Sequence, residues 1–301
     1  MKEKIIVIAG PTASGKTAYG IETALKIGGE IVSADSMQIY MGLDITTAKP
    51  SKAELAAVPH HLISAISPVC EFSVADYVKL ANAEITDIIN RGKTPVIVGG
   101  TGLYISSLMN GIDFTAQSQN PEIRKNLQKI SETDNGKSFL FERLKSIDPE
   151  TADKISPNNI VRVIRALEVF ETTGEKFSEY RKKNNKGNPF YDFDAVYLDF
   201  SDRNLLYERI NRRVDEMIKN GMIDECKNAY EAGISGTITQ AIGYKELLPF
   251  FNGVNTIDEC TKKIKKATRN YAKRQLTWFR RATRRLIRDE SLTEFLDAHR
   301  V

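Results

Sequence analysis

Cysteine is scarce in this chain. The three residues, Cys70, Cys226 and Cys260, show no C-x-x-C spacing, which argues against a disulfide scaffold or a zinc finger and leaves buried thiols as the expectation. Long hydrophobic runs are missing too, falling far short of the ~20 apolar residues that a membrane helix requires. The opening Met1-Lys2-Glu3-Lys4 runs into an apolar strand pattern rather than a signal peptide, so a cytoplasmic protein that does not engage membranes is expected. There is no internal repeat and no low-complexity tract. The last absence is local: no Asp or Glu lies between Glu259 and Asp289, whereas twelve Lys or Arg fall between Lys262 and Arg288. The net charge of the 301 residues is only +4, so this segment concentrates positive charge into a patch suited to a polyanion. Tyr271, Trp278 and Phe279 are interleaved with it and offer faces on which unpaired bases can stack. The alternative is a solvated amphipathic helix with Ala272, Leu276 and Phe279 as its core stripe.

With 41% hydrophobic and 27% charged residues, the chain can bury a full core and has room for one large domain plus an insertion. Its sharpest motif is Gly10-Pro11-Thr12-Ala13-Ser14-Gly15-Lys16-Thr17, directly after the apolar run Ile5 to Ala9 and before a helix-like stretch to Ile27. A strand that opens into a glycine-rich loop at a helix start presents backbone amides to phosphate oxygens. Lys16 is placed to reach an outer phosphate, and the Thr17 hydroxyl to help hold a magnesium ion. The pattern implies a bound di- or triphosphate and names no reaction.

Strands and helices then alternate through Glu30 to Ala34, Val74 to Asn90 and Pro95 to Val98, the βαβ signature of a doubly wound parallel sheet. From about Gly111 to Phe193 the pattern changes to charged helical segments. The fold class expected is therefore α/β, with a P-loop core over 1–112 and 194–301 and an inserted helical subdomain over 113–193. The tail of the insertion, Asn184 to Pro189, reads as a mobile connector. A strand at Ala195 to Leu198 returns to the sheet, followed by helices through Arg281 and a short strand near Leu286.

Ligands of open α/β sheets sit beyond the carboxyl ends of the strands. The second strand ends in Asp35-Ser36-Met37-Gln38-Ile39-Tyr40, and the strand Val96-Ile97-Val98 ends in Gly99-Gly100-Thr101-Gly102-Leu103-Tyr104. The glycines let backbone approach a ligand and expose the Thr101 hydroxyl. Asp35 can hold a metal or take a proton from a nucleophile. Gln38, two residues further along the turn than Ser36, can offer a donor and an acceptor to an adenine edge. The plainer alternative is that Asp35 or Ser36 caps the following turn.

These motifs, together with Ala48-Lys49-Pro50, His60-His61-Leu62-Ile63, Arg165-Ala-Leu-Glu-Val169, Arg209 to Met217, Gln240 to Glu246 and Tyr271 to Arg280, resemble the bacterial tRNA dimethylallyltransferase family from Ile5 to about Arg280. The resemblance implies transfer of a dimethylallyl group from dimethylallyl diphosphate to N6 of the adenosine immediately 3′ of the anticodon. It implies Asp35 as general base, with Lys16, Thr101 and Arg213 stabilising the departing diphosphate and magnesium at Thr17. It implies tRNA contacts from Asp35, Ser36, Met37, Gln38, Thr101, Arg124, Arg162, Arg165, Gln240, Lys245, Lys273, Arg274, Gln275 and Arg280. A monomer is expected. Ser64 stands where the family usually carries an acidic residue. His60 and His61 read as structural or tRNA-facing rather than as metal ligands. Without the resemblance, Arg213 reads as a surface partner of Asp215 or Glu216.

Three other functions remain open to the sequence. A small-molecule kinase would use the same loop on ATP and could draw a second carboxylate from Asp199, but it leaves the Asp35 and Thr101 turns and the basic segment without a role. Prenylation of free adenine nucleotides, as in cytokinin synthesis, shares the loop and the base but has no use for twelve cations on one segment. A nucleotide-regulated RNA-binding module would not need Asp35.

Overall fold

The computed structural model describes residues 2–112, 120–184, 187–200, 202–282 and 286–288. It separates into two compact units, Met1–Leu108 with Phe190–Val301, and Met109–Pro189. In chain order the first unit begins with β1 (Glu3–Ala9), α1 (Lys16–Ile27), β2 (Glu30–Ser33), α2 (Lys52–Ala57), β3 (His60–His61), α3 (Val74–Asn90), β4 (Pro95–Gly99) and α4 (Gly102–Met109). The inserted unit holds α5 (Pro121–Ser131), α6 (Gly136–Ile147), α7 (Pro149–Ala152), α8 (Ile160–Thr173) and α9 (Phe177–Asn184). The chain then supplies β5 (Tyr191–Asp199), α10 (Arg203–Lys219), α11 (Met222–Glu231), α12 (Tyr244–Phe251), α13 (Ile257–Ala282) and β6 (Leu286–Arg288).

The sheet is parallel throughout and ordered β3-β2-β4-β1-β5-β6. Its central strands are covered on both faces, which is why Ile5, Val7, Ile8, Val96, Ile97 and Val32 form nearly unbroken apolar runs rather than alternating ones. The α/β class read from the sequence is what the chain adopts. β5 starts at Tyr191 instead of Ala195, because Tyr191 to Asp194 continue the ladder opposite Glu3 to Ile6. Two aspartates in those four residues disguise them as connector. β1 thus lies between β4 and β5, and the carboxyl ends of β1, β2 and β4 open onto one crevice.

At the opposite end of the sheet, Glu30 opens β2 with its side chain 8% exposed and paired to the Arg91 guanidinium at the end of α3. His61 of β3 reaches the same carboxylate at 2.8 Å and Glu84 at 2.8 Å. The Arg91 hydrogen bonds, followed by that of His61, hold the Glu30 carboxyl down to about 2. A carboxyl depressed in the folded state supports folding above its ordinary value and loses that support as pH falls through the native one. Thermal denaturation from pH 5 to pH 2 should therefore show a stability loss that Glu30→Gln flattens relative to its own pH 5 value; parallel curves for the two proteins would remove Glu30 as the cause.

The inserted unit has its own core of Leu127, Leu140, Leu144, Val163, Ile164 and Leu167. Its two ends are tied by Asn188 N–H donating to Met109 O at 3.1 Å. The expected start at Asp113 and part of the connector, residues 185–186, lie outside the described residues, as do Thr283, Arg284 and Arg285 of the basic run. Cys226 and Cys260 are buried as expected, whereas Cys70 is exposed.

Candidate active site

Helix α1 starts without a side-chain cap; its N-cap is Gly15, left-handed at φ 84°. The first-turn amides are therefore left for a ligand, and the helix dipole favours an anion there. Ala13, just before, also takes a positive φ of 62°, a strained state for a side chain with Cβ that must be held by its surroundings. Arg209 of α10 does so: its Nε donates to Ala13 O at 2.9 Å. Ser14 Oγ is fully buried and has no hydrogen-bond partner among the described residues, so one loop donor awaits an acceptor.

Lys16 and Thr17 line a cleft with Asp35, Gln38, Ser33 and Gly99, the apolar wall being Ile31, Ile63, Pro50 and Val98. Burial pulls the Lys16 ammonium down to about 8, against the upward pull of Asp35 and with a further downward push from Arg213. Burial likewise lowers Arg213, which is attracted chiefly to Asp35. Arg213 donates to Ala48 O at 3.3 Å, whereas Asp215 is taken by Lys265 at 2.6 Å. The surface-pair alternative for Arg213 is thus not the arrangement found. Lys16 and Asp35 line the cleft, and Arg213 adds its positive field to it; such an arrangement suits an anion.

Asp35 and Thr101 come together because β2 and β4 end side by side. A Cβ on Gly99 would lie 2.2 Å from Ala34 O, so only glycine permits this approach. Thr101 N–H donates to Ala34 O at 3.1 Å, and Thr101 Oγ1 accepts from Ser36 N–H at 3.0 Å. Asp35 Oδ1 accepts from Met37 N–H at 2.9 Å and Gln38 N–H at 3.3 Å. The turn-capping alternative therefore holds for one carboxylate oxygen, Oδ1. Gln38 departs from expectation. Its Nε2 donates to Thr47 O at 3.2 Å and Ala48 O at 2.9 Å, which occupies both amide hydrogens; Gln38 can only accept from a base edge. Those two carbonyls belong to a loop that is itself held by Glu225 of α11, whose carboxylate accepts from Ile45 and Thr46 N–H at 2.9 and 2.8 Å.

Several residues expected at the tRNA are engaged internally. Arg124 and Arg165 both pair with Glu168, which is 1% exposed; a carboxylate buried that deeply needs both. Arg280 forms a two-pronged pair with Asp199 at 3.0 and 2.8 Å. Gln275 is buried between two loops. Arg162, Gln240, Lys245, Lys273 and Arg274 are exposed. On α13 the amphipathic alternative accounts for Ala272, Leu276 and Phe279, which are buried. Phe279 packs on Tyr197, with ring centroids 5.4 Å apart, and Trp278 lies against Gly102. Phe279 offers no open stacking face, whereas Trp278 is half-buried. Lys49, named only within a motif, is a hub: its Nζ, on a side chain 5% exposed, donates to Tyr40 O, Asp44 and Ser64 Oγ. Arg209 is the functional neighbour that sequence reasoning passed over, although its spacing one turn before Arg213 puts both on one helix face.

A model of the IPP transferase family matches residues 38–282. The tRNA dimethylallyltransferase of Caldanaerobacter subterraneus subsp. tengcongensis is 50% identical over 283 residues, 93% of this chain and 90% of its own. That of Geobacillus thermodenitrificans is 48% identical over 281 residues, 93% and 88%. The tRNA delta(2)-isopentenylpyrophosphate transferase of Staphylococcus epidermidis superposes with TM-score 0.69 at 41% identity, covering 99% of this chain and 98% of that one. A eukaryotic dimethylallyltransferase captured acting on tRNA gives TM-score 0.80 at 34% identity, covering 92% and 69%.

Proposed function

Because the chain belongs to the IPP transferase family, we propose that it transfers the dimethylallyl group of dimethylallyl diphosphate to N6 of the adenosine 3′-adjacent to the anticodon in tRNA, releasing diphosphate. The observation that carries this reading is that Lys16, Thr17 and Asp35 line one cleft at the uncapped start of α1, with Arg213 close enough to act electrostatically on Lys16 and to be attracted by Asp35. An allylic C–O bond breaks readily when the charge gathering on the leaving diphosphate meets preorganised donors. Lys16, Arg213, the Thr101 hydroxyl and the uncapped first-turn amides of α1 at the end of the phosphate loop are those donors. The N6 lone pair forms the new C–N bond, the C–O electron pair leaves with the diphosphate, and the N6 proton passes to Asp35. Gln38 Oε1 accepts from the base.

Among the described residues no cluster of three His, Cys, Asp or Glu could hold a resident metal. A hydroxyl beside a phosphate site suits magnesium, which keeps most of its shell as water and substrate oxygens. Thr17 would hold that ion, and it would neutralise part of the diphosphate charge. The exposed Lys273 and Arg274 on α13, with Gln240 and Lys245, make the core's tRNA contacts, and Arg162 those of the inserted unit. The target base leaves its stack at a cost of a few kcal/mol, which such contacts offset. No helix among the described residues is long and apolar enough to cross a membrane; the enzyme works in the cytoplasm as a monomer. The kinase reading weakens at Asp199, the carboxylate it would want for magnesium, which is engaged by Arg280.

Label transfer from dimethylallyl diphosphate to an anticodon stem-loop with unpaired adenosines tests the reading, with AMP and ATP as competing substrates and a chelator arm for magnesium. Labelled stem-loop, lost on chelation, is expected. Label on AMP alone, or phosphate moved from ATP, would overturn it.

A further inference from the structure

Gln275 sits on α13, far along the chain from the strand ends, yet its amide joins two of them. Oε1 accepts from Thr12 N–H at 2.8 Å, in the phosphate loop. Nε2 donates to Gly100 O at 2.9 Å, in the loop that presents Thr101. One partner can only donate and the other can only accept, so the orientation of the amide is determined. The residue is 5% exposed, and a Cβ on Gly100 would lie 2.2 Å from Nε2; glycine at 100 makes room for this amide. Tyr271, one turn earlier on the same helix, sets its hydroxyl beside the side chains of Thr101 and Gln275. Thr101 in turn is bonded to Ser36 of the Asp35 turn.

We propose that Gln275, assisted by Tyr271, is a positioning residue that fixes the spacing between the loop receiving the diphosphate and the loop presenting Thr101. It does not touch tRNA. The inference rests on the transferase reading above, and it gives α13 two roles, since its exposed face carries cations while its buried face braces the reaction centre. A rigid tie matters here because displacement by about 1 Å between the leaving group and the nucleophile can cost on the order of a hundredfold in rate.

Gln275→Glu tests this in nearly unchanged volume. The carboxylate keeps the acceptor for Thr12 but loses the donor and sets an oxygen against the Gly100 carbonyl. Expected is a fall in kcat of about tenfold or more, with KM for the stem-loop within about threefold of wild type. Protonation restores an O–H donor, so kcat relative to wild type should recover as pH falls from about 8 to about 6, the buried acid having a raised pKa. Combining Gln275→Glu with Thr101→Ala should cost little more than Thr101→Ala alone, because one residue acts through the other. Tyr271→Phe, which keeps the ring, should show the same coupling to Thr101 if Gln275→Glu fails to fold. A raised KM for the stem-loop with unchanged kcat, a pH-independent deficit, or losses that multiply would overturn the proposal. Absence of transfer by wild-type enzyme would instead sink the reading on which it rests.

Discussion

Asp35→Asn is expected to lower kcat/KM for stem-loop prenylation by about 10³-fold, within the range for removing a general base, while leaving dimethylallyl diphosphate binding intact. Asparagine is the discriminating replacement because Asp35 Oδ1 also braces the turn through Met37 and Gln38 N–H. The amide oxygen keeps those bonds, so only the proton-accepting oxygen is lost; Asp35→Ala would remove both and confuse chemistry with folding. Single-turnover transfer and calorimetric titration with the diphosphate separate the two quantities. Retained transfer in Asp35→Asn would mean that another group, or water, takes the N6 proton.

Lys16→Met should have two effects of opposite sign. Transfer should fall by about 10²- to 10³-fold, as expected when a preorganised charge is removed from the leaving group. Stability should rise. Burial holds the native Lys16 ammonium at about 8 rather than 10.5, so the unfolded chain binds the proton more tightly. Between about pH 8 and 10.5 the unfolded state therefore carries more protons, and wild-type stability climbs with pH across that window. The advantage of Lys16→Met should be full below about pH 8 and fade above it, which thermal denaturation from pH 7 to pH 10 measures. Diphosphate should bind wild type less tightly as pH passes about 8. A variant with unaltered thermal stability at pH 7 would show that Lys16 is not desolvated as described. The unbound protein thus tolerates an unfavourable cation because the reaction requires it.

Much of this centre is written locally in the chain. The apolar run before Gly10 and the glycines at 15 and 99 encode strand, loop and close approach within a few residues, and Asp35 and Thr101 follow as strand-end residues. What sequence reading misses comes from distance. Gln275 and Thr12 are 263 positions apart, and nothing in the helical pattern of α13 separates a buried amide from one facing RNA. Gln38 is legible as an amide at the right place, but the carbonyls of Thr47 and Ala48 decide that its hydrogens are spent. Arg124 and Arg165 read as phosphate ligands because charge alone is visible; Glu168, buried between helices, gives them another partner. The inserted unit begins at Met109 and ends at Pro189, while the change of pattern suggests 113 and 193.

The hydrogen bond between Asn188 and Met109 makes the inserted unit modular. A segment whose ends meet can fold on its own nucleus without waiting for the parallel sheet to close, and the sheet in turn spans only a short gap where the segment departs. Folding kinetics should then resolve two phases, the faster belonging to the local helical contacts of α5 to α9 and the slower to the long-range strand pairings of β1 with β4 and β5. The same closure means that the unit could be lengthened, shortened or exchanged in evolution with little penalty to the fold of the sheet, so that the two units are free to change at different rates.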